Sequence, residues 1–389
     1  MKKFWKITLV GALALLMLAG CAAASPNSAE ALAQSSSSGG ALLLSSGPAS
    51  TLTAGGTAAS TEMDATVSDR DASGEYDASE AVSLSPDGEL TVRSAGTYIL
   101  SGTYDGMIVV EAGEEDKVQL VLENASITNE NGPAIYVRSA DKVFLTAAAG
   151  TVNTISDGSD YTLTDDDATL DAAIFSRDDL TINGAGKLTV NGNCKHAVVS
   201  KDDLVITAKD LTVNAVRDGL SGKESVIAAD AAIRVKAGSD GVCSCEYVAV
   251  TGGTLNITAS EGIEATYILI SGGDITIAAS DDGVNAARKS TVYAPTVEIT
   301  GGTVTITMGA GDTDGIDSNG DLIITGGTIS VNGQSAFDCD GSVSFTGGTV
   351  TVNGQQVSTI PNQMMGGPGG QGGPGGQGGF GGGPGGRHR

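Results

Sequence analysis

Acidic residues recur at a regular spacing in the second half of this 389-residue chain, and each is followed by Gly and an aliphatic residue. The triplets begin at Asp218, Asp240, Glu261, Asp282 and Asp314, with 22, 21, 21 and 32 residues from one start to the next. A second, mostly polar series lies three residues further along: Ser221, Cys243, Glu264, Asn285, Asp317 and Asp338. If each repeat is one coil of a solenoid, the members of a series stack about 4.8 Å apart.

Carboxylates stacked this closely repel one another by about 1 kcal/mol per pair in water, and by more where water is excluded. A divalent cation removes that cost, and oxygens of carboxylates, amides and backbone carbonyls are the ligands that Ca²⁺ takes. The sequence therefore predicts calcium as a cofactor, with these ligands: Asp202, Asp203, Asp218, Asp240, Glu261, Glu264, Asp282, Asn285, Asp314, Asp317 and Asp338. A single Asp-Gly pair is adequately explained as a solvated turn. A further acidic pair is formed by Asp202 and Asp203, with Asp178 and Asp179 one repeat earlier. The sequence supports two interpretations of it equally well: a further calcium site, or exposed residues at the starts of strands.

A row of hydroxyls and amides, together with two stacked tyrosines, could bind sugar rings. Tyr247 and Tyr267 fall one repeat apart, and the row reads Thr189, Thr212, Asn256, Thr276, Thr305, Ser330 and Thr351. Tyr247, Tyr267 and Asn256 are the candidate glycan-binding residues. The plainer interpretation of the threonines is that they are good strand residues.

Basic residues beside the acidic series raise an enzymatic alternative. β-Elimination from a uronate needs a cation that acidifies the α-proton and a positively charged group near the reacting carbon. Arg217, Lys223 and Arg288 are the candidates if the protein is a lyase, with Lys289 beside them. An isolated basic residue near acidic columns is more often part of a surface ion pair. The sequence assigns no catalytic residue otherwise.

Two short strand patterns in each repeat position these side chains. Runs such as Asp179–Ile182 in the first column and Asp274–Ile277 in the second alternate polar and apolar residues with period 2, and Thr/Ser-Gly-Gly turns usually separate the two columns. The segment after each acidic corner adds a third short face. This pattern predicts an all-β fold, a parallel β-helix with about 21 residues per coil and roughly ten to twelve coils. Residues 84–165 are predicted to form the first coils and their cap.

The N-terminus has the features of a bacterial lipoprotein signal. Lys2, Lys3 and Lys6 precede an apolar run that ends in Leu-Ala-Gly-Cys at Cys21, which is the predicted lipid anchor. We therefore predict a signal peptide at 1–20, a flexible spacer at 21–80, the β-helix at 81–358 and a disordered Gly/Pro/Gln-rich tail at 359–389. The protein is expected to be secreted and lipid-anchored to the outer face of the bacterial cell membrane.

Charge and cysteine content restrict the partners. Without the three signal lysines the net charge changes from −25 to −28, which argues against nucleic acid and against any membrane contact besides the lipid anchor. Cys194, Cys243, Cys245 and Cys339 form no evident disulfide framework, and the Cys243-x-Cys245 pair alone offers too few ligands for zinc. The sequence leaves the oligomeric state open.

Several segments of the chain resemble the bacterial cell-surface carbohydrate-binding domain family. They are Gly96–Gly102, Ser156–Gly158, Ala173–Gly184 and Val199–Leu204, of which the last two, with Phe-Ser-Arg-Asp-Asp-Leu and Val-Ser-Lys-Asp-Asp-Leu, are the more specific. The resemblance covers about residues 84–353. It implies a calcium-binding, right-handed parallel β-helix, similar in shape to pectate lyases, that binds cellulose or acidic pectin-type polymers without cleaving them.

This chain departs from the acid-Gly corner at two repeats, Lys195-His196-Ala197 and Ser335-Ala336-Phe337, so a calcium ligand is in doubt there. With the resemblance, the sequence predicts non-catalytic, calcium-dependent polysaccharide binding by a surface lipoprotein. A calcium-dependent polysaccharide lyase on the same fold and a structural or adhesive surface rod are the alternatives.

Overall fold

The computed structural model describes residues 65–86, 90–162, 169–311 and 313–361. The predicted signal peptide, the lipid anchor Cys21 and the spacer before residue 65 lie outside the described residues, as does the tail from residue 362. One short helix, α1 (Asp69–Ser73), is present in the described part of the chain. No helix there has the length and apolarity needed to cross a membrane.

The remaining regular structure consists of strands. In chain order they are β1 (Val82–Leu84), β2 (Thr91–Val92), β3 (Gly96–Asp105), β4 (Ile108–Glu111), β5 (Lys117–Asn129), β6 (Ile135–Ser139), β7 (Lys142–Ala147), β8 (Val152–Asp157), β9 (Ala172–Ser176), β10 (Asp179–Gly184), β11 (Lys187–Gly192), β12 (His196–Ser200), β13 (Asp203–Ile206), β14 (Asp210–Ala215), β15 (Leu220–Gly222), β16 (Ser225–Ala228) and β17 (Ala231–Lys236). The second half continues with β18 (Asp240–Ser244), β19 (Tyr247–Val250), β20 (Gly253–Ala259), β21 (Glu261–Ala265), β22 (Tyr267–Ile270), β23 (Asp274–Ala279), β24 (Val284–Ala286), β25 (Thr296–Ile299), β26 (Thr303–Met308), β27 (Asp314–Ser318), β28 (Asp321–Ile324), β29 (Thr328–Asn332), β30 (Ser335–Cys339), β31 (Val343–Phe345), β32 (Thr349–Val352) and β33 (Gln355–Val357).

These strands stack into a parallel β-solenoid of about 11 turns, with about 23 residues per turn. Each regular coil has three strands, for example β18, β19 and β20. The first strand of each coil belongs to an 11-stranded sheet, and the other two belong to a 22-stranded sheet. At the C-terminal end β33 pairs antiparallel with β32. The predicted parallel β-helix is confirmed, and the mean turn is longer than 21 residues because some coils carry insertions, such as the one between β24 and β25.

Period-2 alternation within each strand determines what lies inside the solenoid. In β20, Leu255 and Ile257 are buried whereas Thr254, Asn256 and Thr258 are exposed. The inward positions of consecutive coils are in register, so that Leu255 stacks on Ile275 of β23. Each fully buried aliphatic side chain contributes about 1.5–3 kcal/mol, and these stacks form one continuous core along the rod.

Glycines let neighbouring coils approach each other at the corners. At the turn before β20, Gly253 has φ +85, and a Cβ there would lie 2.0 Å from the Ala231 carbonyl oxygen of the preceding coil. After the acidic corner, a Cβ on Gly262 would lie 2.2 Å from the carbonyl oxygen of Gly283. Any larger residue would push the coils apart, which explains why Gly follows the acid in consecutive repeats.

Residues 65–80 form what we call the N-terminal strap, which lies along the outside of the rod. Ala65 and Val67 pack beside a small apolar cluster on outward positions of the 22-stranded sheet. That cluster consists of Val205, Ile227 and Ala249. The following turn is α1, where Ser68 and Asp71 form a capping box. The composition had placed these residues in the flexible spacer, but in the structure they are packed on the domain.

Asp71 joins the strap to the coils beneath it. Its carboxylate lies 2.9 Å from Lys142 Nζ and accepts a hydrogen bond from the Thr181 hydroxyl. The Thr207 hydroxyl donates to the Asp71 backbone carbonyl at 2.6 Å. Further along, the Tyr76 hydroxyl donates to Glu123 at 2.7 Å. The strap therefore runs back from the middle of the rod to its first coil.

Candidate functional site

The two series of corner residues stack in register along the 11-stranded sheet. The first column reads His196, Asp218, Asp240, Glu261, Asp282, Asp314 and Ser335, and the second reads Val199, Ser221, Cys243, Glu264, Asn285, Asp317 and Asp338. We call these two columns the acidic corner. The two repeats that depart from the acid-Gly pattern keep their places in it, because His196 and Ser335 occupy the first column at its two ends.

Burial of the acidic corner decreases along the rod. Asp218, Asp240 and Glu264 are 5%, 8% and 3% exposed, so their carboxylates lie almost out of contact with water. Asp317 and Asp338, two and three coils beyond Glu264, are only partly buried. The N-terminal half of the corner is therefore closed, whereas its C-terminal half is open enough for a large ligand to touch.

Burial and mutual repulsion raise the pKa values of the corner carboxyls. Desolvation is the larger cause for Asp240, whose pKa is raised to about 8, and the carboxylates of Asp218, Glu264 and Glu261 add to it. Desolvation likewise raises the pKa values of Glu261, Asp282 and Asp317 to about 7. Groups in this state bind protons near neutral pH, or a metal ion in their place.

One histidine and one lysine reach into the corner at defined levels. His196 Nδ1 lies 2.9 Å from a carboxylate oxygen of Asp218. Lys289, from the insertion after β24, extends back to Glu264 and forms an ion pair with its carboxylate. The side chains of Lys289 and Glu264 are 13% and 4% exposed, so this is a buried ion pair. The sequence had offered Lys289 as a possible lyase residue, and its role as the counter-ion of Glu264 was not foreseen.

At the C-terminal end of the corner, several buried oxygens have no hydrogen-bond partner. They are Asn285 Oδ1, Asp338 Oδ1, Ser335 Oγ and Thr313 Oγ1. Asn285 uses its Nδ2 to donate to Glu261 at 3.1 Å, which directs its Oδ1 to the other side. Buried polar atoms without a partner are costly. An oxygen-only set with partly buried carboxylates beside it fits a hard divalent cation.

Three groups of side chains bring possible metal ligands within 4.8 Å of one another. Asp240, Glu261 and Glu264 form an oxygen group, and Asp218, Asp240 and Cys243 form a mixed oxygen and sulfur group. The third group unites the predicted pair Asp202 and Asp203 with Asp179 of the preceding coil.

Asp179 was not among the predicted ligands, although the Asp178-Asp179 pair in the sequence carried the signal. Burial raises its pKa to about 6, against the lowering effect of Lys142. Cys243 and Ser335 were placed in the repeat by the sequence but not predicted as ligands, and Thr313, next to Asp314, was not singled out at all. Thiol and hydroxyl side chains are ordinary at buried strand positions, so their types gave no signal.

The predicted glycan-binding residues lie on two different strands of the coil. Tyr247 and Tyr267 are adjacent in register at the starts of β19 and β22. The ring of Tyr293, from the insertion after β24, packs against both, with centroids 5.8 Å and 5.7 Å away. Asn256 is exposed on β20, which is the next strand of the coil. The structure therefore brings the two tyrosines together and leaves Asn256 on a separate face.

The residues proposed for a lyase are not gathered at one place. Arg217, Lys223 and Arg288 are all exposed. Arg217 directly precedes Asp218, and Lys223 lies at the opposite end of the same strand, about 20 Å away along extended backbone. Arg288 lies three coils beyond Lys223, which is about 14 Å along the rod.

Comparison with known proteins gives a consistent picture. A family model described as carbohydrate-binding domain-containing protein matches residues 86–267 and 260–357. A protein of Acetivibrio thermocellus, named carbohydrate-binding domain-containing protein, is 41% identical over 129 residues, which is 33% of this chain and 45% of that protein. The match thus spans less than half of that relative.

A solved structure, described as a polysaccharide lyase-like protein from C. thermocellum in a gadolinium derivative, is also similar. It is 30% identical, covers 66% of this chain and 88% of its own, and superimposes with a TM-score of 0.42. The family model extends over most of the solenoid, from its first coils to its last, and the chain belongs to the carbohydrate-binding domain-containing protein family.

Proposed function

We propose that this protein is a non-catalytic, calcium-dependent polysaccharide-binding module, held at the cell surface by a lipid on Cys21. Membership of the carbohydrate-binding domain-containing family supports the polysaccharide as its partner. The observation that carries the calcium dependence is the set of unpartnered oxygens at the C-terminal end of the acidic corner. The scattered placement of Arg217, Lys223 and Arg288 favours binding over cleavage.

We place the calcium site in the C-terminal coils of the acidic corner. Asn285, Asp317 and Asp338 stack in consecutive coils of the second column, beside Asp282 and Asp314 of the first. This set supplies only carboxylate and amide oxygens, which Ca²⁺ prefers. The ion would replace the protons that burial retains on Asp282 and Asp317.

The same ions offer a way for an acidic protein to hold an acidic polymer. Asp317 and Asp338 are partly exposed, so an ion held there retains room for oxygens from outside the protein. A Ca²⁺ ion takes six to eight oxygen ligands, and uronate carboxylates can supply the remainder. Consecutive coils present such positions about 4.8 Å apart, which suits a chain that carries one carboxylate on each sugar.

Calorimetry of the protein with polygalacturonate, in calcium and in excess chelator, tests this function. We expect heat of binding in calcium and none in chelator, with no rise in the ultraviolet absorbance that unsaturated uronate products cause. Growing absorbance would mean a lyase and would overturn the non-catalytic proposal. Binding that persists in chelator would remove calcium from the interface, and no binding of either an acidic glycan or cellulose would favour a structural rod.

Two variants locate the calcium site. Asp317→Asn removes a corner carboxylate and should weaken calcium binding by at least about ten-fold, because an amide is a poorer ligand than a carboxylate. Asp274→Asn is the matched control, since Asp274 is exposed on β23 and away from the corner. Equal calcium affinity in the two variants would refute the assignment of the ion to the C-terminal coils.

The anchor is tested separately. Replacing Cys21 by Ala should release the protein from the membrane fraction into the medium, because lipidation requires the thiol. A Cys21→Ala protein that remains in the membrane fraction would contradict the predicted anchor.

A further inference from the structure

The face of the 11-stranded sheet that carries the acidic corner changes character toward the first coils of the rod. There the second column continues upstream from Val199 as Phe175 and Tyr136. Two residues after the column position, four consecutive coils each carry a basic residue: Arg138, Arg177, Lys201 and Lys223. Side chains two residues apart along extended backbone point to the same side, so these cations lie beside the column, one on each coil. We call them the basic row.

The backbone ladder holds the basic row in register. The amide N–H groups of Arg177, Lys201 and Lys223 donate to carbonyl oxygens of the preceding coils at 3.0, 2.9 and 3.0 Å. Neighbouring members are therefore attached to the rod about 4.8 Å apart, and the four together span about 14 Å along its axis. The row thus has the same spacing as the acidic corner.

Two buried aromatic rings support the row. Tyr136 and Phe175 are each 1% exposed and pack edge to face, with their centroids 6.1 Å apart. The Arg177 guanidinium lies 5.7 Å above the Tyr136 ring, and its Nε donates to the Tyr136 hydroxyl at 2.7 Å. Arg138 lies over the same ring, and the Lys201 ammonium group lies 5.2 Å above Phe175. These contacts order the side chains before a ligand arrives, which lowers the entropy lost on binding.

Three of the four cations have no carboxylate as an ion-pair partner. Arg177, Lys201 and Lys223 are exposed, and no carboxylate oxygen of the described residues lies within 4 Å of their charged nitrogens. Only Arg138 has such a partner in the row, Glu111 at 3.6 Å. The chain has 46 Asp and Glu residues against 21 Lys and Arg, so most cations could find a partner easily.

The carboxylates that follow the cations in sequence are engaged on the other side of the turn. Asp202 lies with Asp179 and Asp203, at strand starts of the 22-stranded sheet. Desolvation raises the pKa values of Asp178 and Glu224, and the carboxylate of Asp202 adds to this effect. These acidic side chains therefore interact with one another more strongly than with the cations, and the charges of the row remain available to a ligand.

We propose that the basic row is a second part of the glycan site, which binds carboxylates of an acidic polysaccharide directly, without a metal ion. This inference rests on the proposed function, because the polymer is the one that calcium would hold at the C-terminal coils. Arg and Lys form charge-assisted hydrogen bonds with carboxylates. The row and the corner share one face, and Lys223 lies four coils before Asp317, about 19 Å along the rod. A polymer that follows the axis meets both.

The row lengthens the bound stretch of polymer rather than replacing calcium. Each exposed cation binds a carboxylate weakly in water, so the row alone does not retain the polymer at physiological salt. When calcium holds one part of the chain, the carboxylates further along it are kept at a high effective concentration near the row. The row therefore favours long acidic polymers over short oligomers, and over neutral glycans of any length.

Acetylation of exposed lysines with acetic anhydride, read by mass spectrometry, tests the row directly. In calcium, we expect polygalacturonate to lower the acetylation of Lys201 and Lys223 several-fold. Lys187 and Lys209, which are exposed at or next to the starts of β11 and β14, should react as before. Lysines of the row that stay reactive would overturn this inference, and calorimetric heat in the same sample would leave the calcium proposal standing. Equal protection in chelator would support the row and contradict the dependence on calcium.

A pair of double variants measures what the row contributes. Lys201→Gln with Lys223→Gln should weaken the binding of polygalacturonate in calcium by about ten-fold. The same variant should bind a three-sugar oligomer as tightly as the unaltered protein, because so short a chain does not reach from the calcium coils to the row. Lys187→Gln with Lys209→Gln removes the same charge and is the matched control. Equal losses in the two double variants, or no loss in the first, would overturn the inference.

Discussion

Removal of the Lys289 ammonium group is the most direct test of how the acidic corner is stabilised. In Lys289→Met the stem of the side chain is largely kept, but Glu264 is left 4% exposed with no counter-ion. Breaking a buried ion pair by removing one partner costs about 3–5 kcal/mol, because the remaining charge stays desolvated. We expect a loss of that size in the free energy of unfolding of the metal-free protein.

The Arg234–Asp210 pair provides the matched control. Its atoms lie 2.9 Å apart, but its side chains are 60% and 40% exposed, and exposed pairs of this kind contribute about 0.2–1 kcal/mol. Arg234→Met should therefore lower the free energy of unfolding far less than Lys289→Met does. Denaturant unfolding in excess chelator, followed by circular dichroism, gives both values if the slope of the transition is unchanged.

A double variant separates the charge from the packing. Lys289→Met combined with Glu264→Gln removes both charges, and we expect it to recover most of the lost stability. Calcium should reduce the loss in the single variant, because a cation can replace the ammonium group. Two results would show that the buried ion pair is not what stabilises this level of the corner. One is a loss in the free energy of unfolding of Lys289→Met no larger than that of Arg234→Met, and the other is a double variant as unstable as Lys289→Met alone.

Three further outcomes follow from the packing and the charges. Because burial raises the pKa values of Asp240 to about 8 and of Asp317 to about 7, the metal-free folded state keeps protons that the unfolded chain releases above about pH 4. Its melting temperature should fall as pH rises from about 4 to about 8, and a flat profile in chelator would contradict the assigned burial. Gly262→Ala should destabilise the rod by about 1–3 kcal/mol in denaturant unfolding, since the new Cβ lies 2.2 Å from a carbonyl oxygen. Gly309→Ala, whose Cβ has 3.3 Å of space, is its control, and equal losses would refute the argument from coil spacing. Asp71→Ala should destabilise the packing of the strap by about 3 kcal/mol or more, because it leaves Lys142, which is mostly buried, without its carboxylate partner. Asp77→Ala, at an exposed position, should have little effect. Protease cleavage within the strap measures the difference, and equal cleavage of the two variants would contradict the prediction.

The fold could be predicted because the same types of residue recur once in every coil. Alternation in stretches such as Thr254–Ile257 gives the strands, the Gly-Gly turns give the corners, and equal spacing gives the register. The acidic columns follow from that register alone. The 32-residue spacing after Asp282 correctly located the one long insertion among these repeats.

What the insertion does could not be predicted in the same way. Its residues lie outside the repeat, so no register places Lys289 beside Glu264 or Tyr293 against Tyr247 and Tyr267. The N-terminal strap was missed for a related reason. Its composition is that of a linker, and its order comes from contacts between Asp71 and coils more than a hundred residues away.

The N-terminal strap also gives the protein a mechanical property. A pull on residue 65 is first borne by the contacts of Ala65 and Val67, then by the bonds of Asp71, and finally by Tyr76 near the first coil. These contacts would yield one after another, as when a strip is peeled from a surface, while the hydrogen-bonded coils remain unloaded. Released in full, residues 65–80 add about 55 Å of slack. The strap can therefore absorb a sudden load applied at residue 65 before the rod itself is strained.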